Sequence, residues 1–169
     1  MTRATVITDA SHCPHYDVGG FGAYIRVDGR KDAIKETGPL QGPIGSSTYA
    51  EIRAALIGIW FAARAGATHV LLQTDCMTLI HLKHGHCKNP ALVKLWRDAF
   101  LRDDMPDLNN VSTRHVKGHG IIKDARTWVN AWCDDAAKSH MKQERVKARA
   151  YSKRKSKHKE LTECPPVKQ

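Results

Sequence analysis

Counting from Ile52, apolar residues recur at Ala55, Leu56, Ile59, Trp60 and Ala63, and this spacing defines one face of a helix that has to be buried. The helix should stop near Gly66. What precedes it reads at a different period. Val6-Ile7-Thr8-Asp9 is short and β-branched, and Phe21 to Val27 alternates as a second strand after a turn expected at Gly19-Gly20. Asp28-Gly29 then reads as a hairpin turn into a third strand near Ala33 to Thr37. Beyond the helix come a buried strand from His69 to Thr74, a short helix from Leu79 to Lys83 ending at Gly85, and a further helix from Leu92 to Leu101. A strand from Val111 to Val116 and a long final helix from Trp128 onward complete the pattern. The order βββαβααβα predicts an α/β fold with helices on both sides of one sheet, and no internal repeat is present.

A chain of 169 residues suits one domain with a core of its own. Its longest apolar run, Ala54 to Ala63, is too short to span a bilayer, so no membrane association is expected. The start goes directly into a strand-like segment without a charged leader, and the five cysteines form no Cys-x-x-Cys pair. A reducing, cytoplasmic setting is the expectation. The net charge of +10 calls for an anionic partner, and it is unevenly spread. Residues 1–137 hold 16 Lys+Arg against 14 Asp+Glu, net +2, whereas residues 138–169 hold 11 against 3, net +8. The expected organisation is a folded body over 1–140 and a flexible basic tail over 141–169. Lys153, Arg154, Lys155, Lys157 and Lys159 are its candidate phosphate contacts, and a merely solubilising tail is the bland alternative.

Four acids stand out by context, and three have ordinary explanations. Thr48-Tyr-Ala-Glu51 has the form of a capping box, Asp75 could cap the helix after Thr74, and Asp134 could be a solvated helix charge beside Asp135. Asp9 is different, because a carboxylate within a β-branched strand is costly unless a cation or donor meets it.

Five segments in succession carry a resemblance: Val6-Ile-Thr-Asp-Ala-Ser11, Tyr49-Ala-Glu-Ile-Arg-Ala-Ala-Leu56, Leu72-Gln-Thr-Asp-Cys-Met-Thr-Leu-Ile80, Val116-Lys-Gly-His119 and Asn130-Ala-Trp-Cys-Asp134. Together they resemble type 1 ribonuclease H over roughly residues 4–140. The resemblance implies the ribonuclease H-like fold: a five-stranded mixed sheet, three strands antiparallel and then two parallel, flanked by helices. It implies an endonuclease that hydrolyses the RNA strand of RNA/DNA hybrids, leaving 5′-phosphate and 3′-hydroxyl ends. Asp9, Glu51, Asp75 and Asp134 would then hold two Mg²⁺ ions, with Mn²⁺ as a substitute. Two ions about 3.5–4 Å apart supply both an activated water and a charge on the departing oxygen. Hard oxygen donors suit such ions. His119, in a glycine-flanked loop, would carry proton traffic. The resemblance assigns substrate contacts to Ser11, Ser47, Thr48, Met77 and Lys117.

The chain also departs from that family. Ser47-Thr48 stands where an Asn-Asn pair is frequent, and Met77 stands where a glutamine is frequent, which bears on the strictness with which 2′-hydroxyls are read. The stretch between Asp75 and Leu95-Trp96 has no room for the basic handle with which some members grip DNA, and the tail is expected to substitute for it. His81-Leu-Lys-His-Gly-His-Cys87 invites a zinc reading but has no fourth ligand at a partner spacing, so a solvated basic loop is expected. Trp128, Trp132 and Cys133 read as core packing of the last helix. A monomer without a small-molecule cofactor is expected. Two other readings stay open: a noncatalytic nucleic-acid-binding module, which the complete acid set disfavours, and a superfamily nuclease acting on DNA.

Overall fold

The computed structural model describes residues 1–116 and 124–162, the side chains of 156–162 excepted. Five strands form one sheet: β1 (Arg3–Cys13), β2 (Val18–Val27), β3 (Ile34–Leu40), β4 (His69–Thr74) and β5 (Val111–His115). They lie in the order β3-β2-β1-β4-β5. β1 pairs antiparallel with β2, as does β2 with β3, while β1 with β4 and β4 with β5 are parallel. Four helices surround them: α1 (Ser47–Arg64), α2 (Met77–Lys83), α3 (Pro90–Ala99) and α4 (Ala125–Thr162). This is the architecture expected from the sequence, element for element, with a short 3₁₀ turn at Leu108–Asn110 added before β5. Among the described residues no helix is long and apolar enough to cross a membrane.

Side chains alternate across β1, so opposite faces meet different helices. Gly58 of α1 lies over Val6, Thr8 and Ala23; of the expected stripe Ile52, Ala55 and Ile59 are fully buried while Leu56, Trp60 and Ala63 are only half-buried, and Ala62, outside it, is fully buried. Ile7 faces the other way, into a small cluster with Val129 and Cys133 of α4. Burial of both faces accounts for the near-continuous apolar run of β1.

Several local expectations are corrected. The turn is not at Gly19-Gly20, which lie within β2; it falls at Pro14–Asp17, where Asp17 takes a φ of 49°. Asp17 tolerates that backbone because its carboxylate is well engaged, accepting from the amides of Ile44 and Gly45 and meeting His12 Nε2 at 3.0 Å. Close packing explains glycine within the strand: Gly19 lies against Ile44 and Leu40, and α4 lies directly on Gly20 and Gly22. A Cβ on Gly20 would fall 2.4 Å from the Ala137 carbonyl oxygen, and one on Gly22 would fall 2.5 Å from that of Cys133.

The capping box is also absent. Ser46 caps α1, its hydroxyl accepting from the Tyr49 amide at 3.1 Å, which leaves Glu51 in the second turn and free for another role. Asp75 caps nothing: Cys76 occupies the cap position of α2, and the Thr74 hydroxyl accepts from the Cys76 amide. Trp128 is not core but 46% exposed, while Trp132 is half-buried and Cys133 fully buried.

The segment expected as a flexible tail is helical through Thr162. No Gly or Pro interrupts 125–162, and once the packed first half has nucleated the helix, each added residue closes a further backbone hydrogen bond without needing burial. At 1.5 Å per residue the 38-residue helix is about 57 Å long.

Candidate active site

Four elements bring the acids to one end of the sheet. Ile7 of β1 is in register with Gln73 of β4, so Asp9 and Asp75, each two residues further on, leave the parallel pair at the same level. Glu51 reaches them from α1. Its Oε1 accepts from the Ala10 amide at 3.1 Å, and the same amide donates to Asp9 Oδ1 at 2.8 Å, so one N–H holds two carboxylates. Asp134 arrives from the opposite side on α4. The cross-strand partner of Asp9 is Gly22, and the missing Cβ there lets the Cys133 backbone lie against the sheet, with the Cys133 thiol donating to the Ile7 carbonyl. Asp134 is the next residue along.

Electrostatics shows how closely these groups stand. Burial, followed by the negative charges of Asp134 and Asp75, raises Asp9 to about 6. Glu51 is pushed further, to about 9, by burial first and then by the charge of Asp9. Of the two, Glu51 is the carboxyl that keeps a proton more readily. Its second oxygen, Oε2, is buried without a hydrogen-bond partner among the described residues. Lys138, one helical turn beyond Asp134, meets Asp134 Oδ2 at 2.6 Å.

Among the described residues, no three His, Cys, Asp or Glu side chains already converge as a ready ion cage. The donor set nevertheless fits a hard divalent cation. It consists of carboxylate oxygens, includes an orphaned buried oxygen, and gathers negative charge in a buried place where burial and mutual repulsion raise the proton affinity of Asp9 and Glu51.

The remaining expected residues divide. Ser11 is half-buried on β1, two residues past Asp9 and so on the same face. Ser47 is exposed and Thr48 half-buried in the first turn of α1, and Met77 is 48% exposed at the start of α2. Lys117 and His119 lie outside the described residues. Lys153, Arg154 and Lys155 are exposed on α4, far along the helix from Asp134; the side chains of Lys157 and Lys159 lie outside the described residues. In the His81–Cys87 segment the amides of His86 and Cys87 both donate to the His81 carbonyl, closing a tight loop, and no set of three metal-ligating side chains assembles there.

Sequence reasoning missed two features of the site. Lys138 was signalled only by its four-residue offset from Asp134, and Gly20 and Gly22 only by their alternation, the first in the expected turn and the second in the expected strand.

A family model described as reverse transcriptase-like matches residues 9–130. No curated protein matches the chain. Among solved structures, the N-terminal RNase H domain of Rv2228c from Mycobacterium tuberculosis, determined as a maltose-binding protein fusion, is similar at a TM-score of 0.65 and 20% identity, covering 88% of this chain and 99% of that one. RNase H1 from the halophilic archaeon Halobacterium salinarum NRC-1 is similar at 0.57 and 16%, covering 83% and 98%. LC11-RNase H1 in complex with an RNA/DNA hybrid is similar at 0.58 and 15%, covering 83% and 97%.

Proposed function

The chain belongs to the reverse transcriptase-like family and has the ribonuclease H fold, and from that premise we propose that it is an endonuclease hydrolysing the RNA strand of RNA/DNA hybrids. The observation that carries the reading is the pair Asp9–Glu51 on one backbone amide, with Asp75 and Asp134 near enough to raise Asp9. A merely structural role would not select an arrangement in which the charges of Asp134 and Asp75 raise Asp9, and that of Asp9 raises Glu51. LC11-RNase H1, a structural neighbour, is described in complex with such a hybrid.

Asp9, Glu51, Asp75 and Asp134 would hold divalent metal, Mg²⁺ by the hardness of their oxygens. When bound, the metal supplies the positive charge that stabilises the attacking and departing oxygens of phosphodiester hydrolysis. The protein's own contribution is to hold the carboxylates in place. The Ala10 amide orients both Asp9 and Glu51, and the Lys138 ammonium holds Asp134 on its helix face. Because Glu51 and Asp9 retain protons when their charges are uncompensated, loading of the site should release protons to solvent.

Ser11, Ser47 and Thr48 carry hydroxyls that can exchange hydrogen bonds with 2′-hydroxyls, the group that distinguishes the RNA strand. His119 would move protons at the leaving group, with Lys117 against a phosphate. The basic second half of α4, including Lys153, Arg154 and Lys155, supplies the attraction to polyphosphate that the acidic cleft lacks.

The test is cleavage of labelled RNA/DNA hybrid, double-stranded RNA, double-stranded DNA and junction DNA with Mg²⁺, alongside Asp9→Asn. Hybrid cleavage with 5′-phosphate products, reduced on the order of 10⁴-fold in the variant, is expected. No hybrid cleavage by the unsubstituted chain, or equal cleavage by both, defeats the reading; cleavage confined to DNA moves it to a DNA nuclease.

A further inference from the structure

Away from the acids, the β1–β2 turn and α4 enclose an open groove of about 470 Å³, lined by Cys13, His15, Tyr16, Arg145, Val146 and Arg149. Arg145 and Arg149 are four residues apart and therefore project from the same face of α4 on consecutive turns. Neither guanidinium is paired with an acid among the described residues. The acids nearest in sequence are engaged elsewhere. Asp17 is committed to His12 and to the amides of Ile44 and Gly45, and Glu144 to Lys147 at 2.7 Å. Facing the guanidiniums, the His15 and Tyr16 rings meet edge to face at 4.4 Å, which gives that wall a fixed aromatic surface with polar edges.

We propose that this groove is a binding site for a backbone phosphate and its sugar, taken from the hybrid several nucleotides from the cut. Two forked guanidiniums on one helix face suit phosphate oxygens, and the Cys13, Val146 and aromatic surfaces suit the sugar between phosphates. The proposal rests on the hybrid-cleaving reading for its ligand, while the groove and its charge stand on the structure alone.

Its distance sets the register. Cys13 lies four residues past Asp9 on β1, about 13 Å at 3.3 Å per residue. Arg145 and Arg149 lie about 16 and 22 Å past Asp134 along α4 at 1.5 Å per residue. For a hybrid laid along α4, at 3.4 Å of duplex axis per nucleotide, that would be about four to seven nucleotides from the scissile bond. The groove is therefore reached by long hybrids and missed by short ones.

The experiment compares full-length Asp9→Asn, used to suppress cleavage, with the same chain carrying Arg145→Gln and Arg149→Gln. Affinity is read by fluorescence anisotropy across a salt series for a twenty-base-pair hybrid and for an interstrand-crosslinked six-base-pair hybrid, which at about 20 Å and centred on the acids ends short of the groove. The expected result is binding of the long hybrid weakened roughly 10- to 100-fold, a salt slope shallower by about one to two, and little change for the short one. Equal losses on both lengths, or none, overturn the groove. So does unchanged hybrid binding together with lost retention on phosphatidylserine vesicles, which would assign the cations to a lipid surface. Absence of hybrid cleavage by the unsubstituted chain would remove the function from which the ligand was named. Hybrid cleavage by the unsubstituted chain, together with unchanged binding by the chain carrying Arg145→Gln and Arg149→Gln, would remove the groove alone.

Discussion

The two halves of α4 are one continuous helix built under opposite rules. From Ala125 to Ala137 the helix presses on glycines of β2, buries Val129, Cys133 and Ala137, and delivers Asp134 to a cleft where its charge helps to raise Asp9. Beyond Lys138 the helix is dense in Lys and Arg: His140 still meets the Thr37 hydroxyl of β3 at 3.0 Å, and further out the described side chains are mostly exposed, with local pairs such as Lys147 with Glu144. The first half is fixed by shape and carries negative charge. The second needs no partner to be helical and carries the charge that draws a polyphosphate in. A single rigid rod thus links attraction to the acids that would otherwise repel the substrate.

The sharpest way to break this comparison is Gly22→Ala. The new Cβ would fall 2.5 Å from the Cys133 carbonyl oxygen and 2.8 Å from its Cα, so the helix must move. A stability loss of about 1–3 kcal/mol by urea denaturation is expected, together with near-complete loss of hybrid cleavage as Asp134 leaves the site. Full activity would show that the helix contact does not position the carboxylate.

The acid cleft has a pH signature. Glu51 and Asp9 have folded-state values of about 9 and about 6, above their ordinary 4.5 and 3.8, so the folded chain binds more protons than the unfolded one in between. Stability of the metal-free protein should be greatest below about pH 4 with respect to these groups and should fall as pH rises toward 9. Glu51→Gln should flatten that slope, most visibly between pH 5 and 9, in melting temperatures taken with chelator. A parallel slope in the variant would contradict the assignment of the proton to Glu51.

Truncation after Ala150 sharpens the contrast from the other side, because it removes the far basic residues and leaves the packed half intact. Melting temperature should hardly change, while the salt slope of hybrid binding should become shallower by about 0.9 for each phosphate that the shortened helix no longer neutralises. An unchanged slope would leave the end of the helix without a role in binding. The smallest effect is expected for Lys138→Met. Its half-exposed pair with Asp134 contributes about 0.3–0.5 kcal/mol, so stability should move by no more than that, and metal titration should report any change at Asp134.

Much of the fold could be read from the sequence because it rests on local period. The stripe from Ile52 to Ala63 and the β-branched runs at Val6 and His69 identify helix and strands without reference to neighbours. Sequence and structure part where a residue's role depends on what lies across from it. Gly19-Gly20 reads as a turn until Ile44 and Leu40 close on Gly19 and α4 closes on Gly20, Glu51 reads as a cap until Ser46 takes that position, and Trp128 reads as core although its ring is half exposed, with Lys35 Nζ 5.5 Å from its centroid. The basic tail departs from expectation for a different reason: helix propagation from a packed start does not require apolar residues.

The sequence alone determined the order of elements, the segregation of charge to the C-terminal end and the identities of four acids in family order. Period and composition are properties of a chain read one residue after another. Only the tertiary structure decided that Asp9 and Glu51 share the Ala10 amide, that Gly22 admits the helix bearing Asp134, and that Arg145 and Arg149 face the β1–β2 turn across a groove. These are contacts between residues from 41 to more than 100 positions apart, and they exist because a sheet with helices on both faces closes those distances.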